Sequence, residues 1–259
     1  MIPLFSPEKP CGLPFKEAFT RYPALRKYAI NGDQIDLGNS QALLLYNRLV
    51  LQDFMGLDFT VPPGYLIPTI CSRWEFVCWI IHEKIPSKVL EVGTGASAIL
   101  SMMLAKLGCH VKATELDEVA YQSARNNIKE NNFESQILLI KVRDTNSILK
   151  GYFDSLATFD AIICNPPQYD LSYFHKKSLI KGFAGQKLEL VGGEEGDEFI
   201  LRLIEEIRSF EAPLKVYFQL TLPKLHKNLT EYLQNQGYSF LKDHRTLGTR
   251  QRYYFRVDY

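Results

Sequence analysis

Lys88-Val89-Leu90-Glu91-Val92-Gly93-Thr94-Gly95-Ala96-Ser97-Ala98 decides the fold of this chain. A short apolar run enters a glycine-rich turn, and a helical pattern follows through Leu107. Gly93 and Gly95 permit backbone conformations and a close approach that a β-carbon would block. The letters also satisfy the dinucleotide fingerprint, with Ala98 in the third small position. Further on, a second strand, His110-Val111-Lys112-Ala113-Thr114, ends in Glu115. A carboxylate at that place accepts hydrogen bonds from ribose hydroxyls. The strand, loop, helix, strand and acid open a doubly wound α/β sheet that takes a nucleoside-bearing cofactor.

The same alternation continues downstream. Strands are expected at 88–92, 110–115, 137–142 and 159–164, with helices at 96–107 and 117–132. A helix over Glu194–Phe210 carries Phe199, Leu201, Leu203, Ile204 and Ile207 as its apolar stripe. Lys215–Leu222 reads as a strand, and Tyr238–Leu241 and Arg252–Asp258 as two more joined by a loop. Upstream, residues 1–60 hold few strand signals and one helix, from about Ser40 to Phe54. A further helix spans Ser72 to Ile81, with Trp74, Val77 and Trp79 packed inward. The expected division is an N-terminal module, 1–60, and a second domain, 61–259.

Cys164-Asn165-Pro166-Pro167-Gln168-Tyr169 narrows the chemistry. It follows Phe159-Asp160-Ala161-Ile162-Ile163, a buried parallel strand by its apolar run. An Asn followed by two prolines continues neither a strand nor a helix. Asn165 is therefore held at a strand's carboxyl end, where open α/β sheets place ligands. The exocyclic amine of a base is a poor nucleophile, because its lone pair is delocalised into the ring. An Asn oxygen and a nearby backbone carbonyl accept its two N–H bonds and favour a pyramidal, attacking nitrogen. The glycine loop alone does not separate a nicotinamide cofactor from S-adenosylmethionine. Asn-Pro-Pro does, because hydride transfer has no use for it. The expected architecture is a class I (Rossmann-like) methyltransferase: a seven-stranded mixed sheet with helices on both faces and an antiparallel edge.

Net charge over the 259 residues is only +1, so a nucleic-acid footprint must be local. No apolar run approaches the ~20 residues of a membrane span, and the N-terminus lacks a signal-peptide core. The five cysteines, at 11, 71, 78, 109 and 164, form no Cys-x-x-Cys and read as thiols in a reducing, intracellular compartment. The histidines form no metal-ligand spacing with them. Residues 168–193 read as one long irregular connection, with Lys176, Lys177, Lys181 and Lys187 among Tyr169, Tyr173, Phe174 and Phe183. Lysine mixed with aromatics suits phosphate contacts and base stacking. With Arg21, Arg26 and Lys27, and with Arg250 and Arg252, these lysines (Lys176, Lys177 and Lys181 foremost) are expected to line one positive groove for structured RNA.

Several longer matches go further: Tyr22-Pro23, Asp53-Phe54-Met55-Gly56-Leu57, and Leu66-Ile67-Pro68-Thr69 with Arg73 and Trp79. Others are Gly93-Thr-Gly95-Ala-Ser97, Ala113-Thr-Glu115-Leu-Asp117, Asn126-Asn127, Cys164-Asn165-Pro166-Pro167, Gly192-Gly193-Glu194 and Gly248-Thr-Arg250-x-Arg252. In these the chain resembles, over nearly its whole length, the methyltransferase-like protein 16 family of RNA adenosine N6-methyltransferases. The bacterial 23S rRNA adenine N6-methyltransferases are more distant relatives. The resemblance implies that Gly93 and Ser97, with Gly95 in the same loop, touch the methionine part of S-adenosylmethionine. It implies that Glu115 holds the ribose and that Arg73 pairs with the methionine carboxylate. Asn146, or its neighbour Asp144, would lie near the cofactor adenine, and Asn165 would bind cofactor and target amine. Asn165, Pro166, Pro167 and Tyr169 are the catalytic set this implies. The family has an aromatic directly after Pro-Pro, to stack on the flipped adenine. Here Gln168 stands there, with Tyr169 one residue later. The implied target is U6 snRNA, with a nuclear location, in a eukaryote; a 23S rRNA site, with a cytoplasmic one, is second. Rival readings are a protein glutamine N-methyltransferase and an RNA-binding relative that kept the fold and lost the chemistry.

Overall fold

A computed structural model describes residues 15–32, 34–143, 146–180, 183–247 and 250–259. The first elements are α1 (Phe15–Arg21), a 3-10 turn (Pro23–Tyr28), and a two-stranded hairpin of β1 (Ala29–Ile30) and β2 (Gln34–Ile35). Helices α2 (Ser40–Met55) and α3 (Ile70–Ile81) follow. The Asn39 side chain starts α2 by accepting from the Gln41 and Ala42 N–H groups, and Gly56 ends it at φ +66°. The alternating part runs β3 (Lys88–Val92), α4 (Ile99–Lys106), β4 (His110–Glu115), α5 (Glu118–Glu130), β5 (Ile137–Lys141) and β6 (Ala161–Cys164). It closes with α6 (Leu171–Ser178), α7 (Lys187–Leu190), α8 (Glu198–Arg208), β7 (Lys215–Leu220), α9 (Pro223–Asn235), β8 (Ser239–Leu247) and β9 (Arg250–Asp258).

One sheet takes seven strands in the order β5-β4-β3-β6-β7-β9-β8. Neighbours from β5 to β7 are parallel, and β9 and β8 add the antiparallel edge. Strand order reverses between β3 and β6, which opens a crevice at their carboxyl ends. There Val92 pairs with Cys164 in register. The next residues on the two strands, Gly93 and Asn165, therefore leave the sheet side by side.

A period of two sorts the strand side chains between two cores. Val89, Val111, Ala113, Ala161, Ile163, Tyr217 and Tyr254 join a cluster with α2, α3, α4 and α5. Leu90, Val92, Ile162, Cys164, Val216, Phe218 and Phe255 join another with α8 and α9. Helices thus cover both faces, as expected. The N-terminal segment is not packed apart from the sheet: Phe19, Leu25, Leu51 and Phe59 belong to the first core. Asn127 of α5 fixes its far end. That side chain accepts from the Thr60 N–H at 2.9 Å and donates to the Thr60 and Ala96 carbonyls at 2.8 and 3.1 Å.

Three expectations are corrected. Residues 168–193 are not structureless, since α6 and α7 lie within them. Helix α6 buries none of its residues, so no apolar stripe announced it. Helix α9 had no counterpart in the sequence reading, because only Leu225, Leu229 and Leu233 mark its inner face among polar neighbours. The C-terminal hairpin is longer than expected. The outer strand β8 is largely exposed, and Lys242-Asp243-His244-Arg245-Thr246 conceals its strand character.

Candidate active site

The crevice between β3 and β6 is a cleft of about 340 Å³. Its floor is the turn after β3. Gly93 and Gly95 have φ of +72° and +69°, and a β-carbon built on either meets no other atom within 4 Å. Beneath the turn, the buried Glu91 accepts from the Thr94 hydroxyl at 2.9 Å and from the Ser101 hydroxyl. Burial pushes the Glu91 carboxyl up, and those hydroxyl donors oppose the shift. Ser97 lies in the same floor.

Glu115, at the end of β4, ties this floor to the next loop. One oxygen accepts from the Gly95 N–H and the other from the Asp117 N–H, both at 2.8 Å. Burial raises its pKa, and the backbone donors hold it back. The carboxylate keeps acceptor capacity for a further donor in the cleft. Arg73, on α3, lines the opposite wall. It donates from Nη1 to Gln219 at 2.7 Å and has no ion-pair partner among the described residues. Burial and then the nearby Arg252 lower its pKa to about 10. An unpaired, partly buried guanidinium is a site for a carboxylate, which it binds through two parallel hydrogen bonds.

Beyond Glu115, Leu116, Val142, Ser147 and Ile148 form a flatter wall. Asn146 is exposed, and it is its neighbours Ser147 and Ile148 that line the cleft; Asp144 falls outside the described residues. Glu206 of α8 holds this loop. Its carboxylate accepts from the Ile148, Leu149 and Lys150 N–H groups and from the Ser147 hydroxyl, at 2.5–2.9 Å. Burial alone would raise the Glu206 pKa, but these four donors hold it below the ordinary value. Across the mouth, residues 64–66 meet 185–189. Gly185 N–H and Gln186 Nε2 donate to the Gly64 carbonyl at 2.9 and 3.0 Å, and the Leu66 N–H donates to Glu189 at 3.0 Å. S-adenosylmethionine fits this donor set: a cation for its carboxylate, a carboxylate for its ribose diol, an apolar wall for its adenine and glycines where its backbone passes close.

On the β6 side, Asn165 and Pro167 line the cleft, and Pro166 is buried behind them. Gln168 is 6% exposed and faces away from the cleft. Its Oε1 accepts from the Thr221 N–H at 2.6 Å and the Thr221 hydroxyl at 2.8 Å. Tyr169 is half-buried and meets Tyr173 edge-to-face at 4.7 Å. The Lys177 ammonium lies 5.2 Å from the Tyr173 ring centre. Burial and then Tyr173 raise the Tyr169 pKa, and the charges of Arg250 and Arg252 oppose the shift.

The remaining cations separate by environment. Arg26, Lys27, Lys176 and Arg250 are exposed, and Lys181 lies outside the described residues. Arg21 is engaged by Asp53 at 2.5 Å. Arg252 is 7% exposed and turned inward, donating from Nε to Ser72 at 2.8 Å and from Nη1 to the Gln251 carbonyl at 2.8 Å. The sequence reading missed Glu91, Glu189, Ser147 and Gln219. Glu91 sits inside an apolar strand and Gln219 inside another, so neither stood apart from its strand. The Glu189 signal was its i+3 spacing from Gln186, a capping box that opens α7.

Seven strands in this order, a glycine turn beside an acid-tipped strand, and an Asn-Pro-Pro turn in register with it define a class I methyltransferase. The chain matches the RNA methyltransferase family over residues 14–253 and belongs to it. A Methanocaldococcus jannaschii protein described as a candidate methyltransferase is 32% identical over 93% of this chain and 97% of its own length. The U6 small nuclear RNA (adenine-(43)-N(6))-methyltransferase of Drosophila pseudoobscura pseudoobscura is 30% identical over 52% of this chain, which spans about half of that enzyme (48%). The ribosomal RNA large subunit methyltransferase F of Klebsiella pneumoniae is 28% identical over 77% of this chain and 76% of its own. Among solved structures, the human METTL16 catalytic domain in complex with a MAT2A 3′UTR hairpin superposes with a TM-score of 0.82, at 21% identity over 95% of this chain and 91% of that one. The N-terminal domain of human METTL16 in complex with SAH gives 0.77, at 21% identity over 96% and 95%. These two establish likeness of fold.

Proposed function

We propose that this chain moves a methyl group from S-adenosylmethionine to N6 of an adenine in structured RNA. The observation that carries the reading is the register of Val92 with Cys164. It brings the glycine turn and Asn165 to the same end of the cleft, so a cofactor on one strand end faces an amine on the other. When bound, S-adenosylmethionine supplies an electrophilic methyl on a sulfonium, already a good leaving group. The protein's work is then positioning and exclusion of water. Arg73 and Glu115 fix the cofactor by its carboxylate and its ribose. The Asn165 oxygen accepts one N–H of the target amine, and a backbone carbonyl of the same loop accepts the second. That arrangement aims the nitrogen lone pair along the line of displacement.

The RNA side of the reading rests on Tyr169, Tyr173, Lys177 and Arg250, an aromatic pair with cations beside the Asn165 loop. Tyr169 takes the stacking role that Gln168, buried against Thr221, leaves open. Arg26 and Lys27 in the N-terminal segment extend the cationic surface as an RNA-binding module. U6 snRNA is the first candidate target. The fuller two-way coverage of the ribosomal RNA enzyme favours a large-subunit rRNA adenine as a second reading. Incubation with labelled S-adenosylmethionine, a U6 hairpin, large-subunit rRNA fragments and a release-factor peptide tests both. The expected product is N6-methyladenosine in RNA. Label in the peptide, or in no substrate while cofactor binds, would overturn the proposal.

A further inference from the structure

Two polar residues at the carboxyl end of β7 have no role in the chemistry above, yet each holds one half of it. Cys164 pairs with Phe218, so Gln219 lies one step further along, beside the point where Asn165 leaves the sheet. Gln219 is fully buried. Its Nε2 donates to the Ser72 carbonyl at 3.0 Å and to the Ser72 hydroxyl at 3.1 Å. A carbonyl can only accept, so the amide orientation is fixed and Oε1 must face Arg73, which donates to it at 2.7 Å. Two residues on, and on the same face of the extended chain, Thr221 donates from its N–H and its hydroxyl to Gln168. Gln168 in turn donates to the Pro166 carbonyl at 3.4 Å.

The loop is held from its other side as well. The Gln168 and Tyr169 N–H groups both donate to the Leu190 carbonyl, at 2.8 and 2.7 Å. A β-carbon on Gly192 would stand 2.5 Å from the Pro167 oxygen. The turn after α7 therefore presses on the loop while Thr221 anchors it, and the loop has little freedom except along the β7 edge.

We propose that the end of β7 is the part that sets the cofactor clamp and the amine-accepting loop at a fixed separation. Gln219 positions the Arg73 guanidinium, and Thr221, through Gln168, positions the Asn165 loop. The proposal rests on the methyl-transfer reading. Displacement in line requires sulfur, methyl and nitrogen to be collinear, and a misplacement of about 1 Å costs about a hundredfold in rate. One rigid strand that fixes both ends meets that requirement without either residue touching the reacting atoms.

The test uses two ligands, S-adenosylhomocysteine and 5′-methylthioadenosine, which share the nucleoside but differ in the carboxylate. Calorimetry on Gln219→Met should show S-adenosylhomocysteine weakened about tenfold, with methylthioadenosine within about twofold of wild type. If that variant melts too early to titrate, Gln219→Asn, which withdraws the acceptor from Arg73, should show the same split. Gln168→Leu should bind both ligands as wild type does, yet slow single-turnover methylation by about ten- to a hundredfold. Gln168→Glu, which keeps an acceptor for Thr221, should restore most of that rate. Equal weakening of both ligands in the Gln219 variants, or no weakening, would overturn the proposal. So would a Gln168→Leu enzyme as fast as wild type, or one that Gln168→Glu does not improve on. Failure of the wild type to bind S-adenosylhomocysteine would sink the methyl-transfer reading instead.

Discussion

The two sides of the cleft are built differently. On the β3–β4 side, carboxylates hold the backbone: Glu115 takes the Gly95 and Asp117 N–H groups, and Glu91 takes the hydroxyls of Thr94 and Ser101. Both carboxylates are thus held by donors of neighbouring loops and helices before any ligand arrives, and Glu115 keeps acceptor capacity for a ligand. On the β6 side, the loop backbone is clamped but its surface is left open. Tyr169 and Tyr173 meet edge-to-face, and Lys176 and Arg250 stand exposed without ion-pair partners among the described residues. A small cofactor needs a preformed site. A large polyanion is drawn in by exposed charge and oriented by a few stacking contacts. The contrast is that of a cast socket with an adaptable landing surface.

Breaking either side should give a distinct signature. Asn165→Ala should abolish detectable turnover and leave most RNA affinity, since its interactions are made chiefly in the transition state. Turnover within about tenfold of wild type would count against it. Glu206→Ala strands three N–H donors, two of them buried, and removes the support of Ser147 and Ile148. It should lower stability by about 2–4 kcal/mol, read by thermal melting. The Glu206 carboxyl is held below its unfolded value, so its contribution is full above about pH 4.3 and fades as pH falls through the lower folded pKa. The gap in Tm between wild type and variant should therefore shrink on acidification; a gap that widens refutes the assignment.

Glu115→Ala should weaken cofactor binding by about 1.5–3 kcal/mol, and calorimetry with unchanged affinity would remove it from the ribose site. On the open side, Tyr169→Ala should cost about 1–3 kcal/mol in RNA-dependent activity with little change in Tm, and Tyr169→Phe should be nearly silent. Gln168→Phe should lower both activity and Tm, because the Thr221 N–H loses its acceptor. A gain of activity would show that the aromatic was simply lost from that place. The smallest effect is expected from charge-neutral substitutions at Lys176 and Lys177. These should reduce the salt dependence of RNA binding by about one ion for each phosphate that goes without its cation, and an unchanged slope would place the RNA elsewhere.

How much of this was legible in the sequence follows the same division. Strands β3 and β4 fall on the expected residues, because short runs with a buried apolar interior end at a glycine and an acid. The pairing of Asn165 with the glycine turn followed from the fold class alone. What escaped notice depends on contacts distant along the chain. Gln168 looked like a missing aromatic until Thr221, over fifty residues later, was found to hold it (separation 53). Arg252 read as a surface cation, yet Ser72 of α3 and the adjacent Gln251 carbonyl hold it inward. Helix α6 stays at the surface and leaves no apolar period to detect. The sequence pattern thus exposes burial and turns, and it conceals polar groups that are buried only by a distant partner.

The central claim is that the two sides serve one reaction centre, and a crystal structure with S-adenosylhomocysteine tests it most directly. The account predicts the carboxylate on Arg73, the ribose hydroxyls on Glu115, and the sulfur turned toward Asn165. A ligand seated in the cleft with its sulfur turned away from Asn165, or its carboxylate away from Arg73, would contradict it.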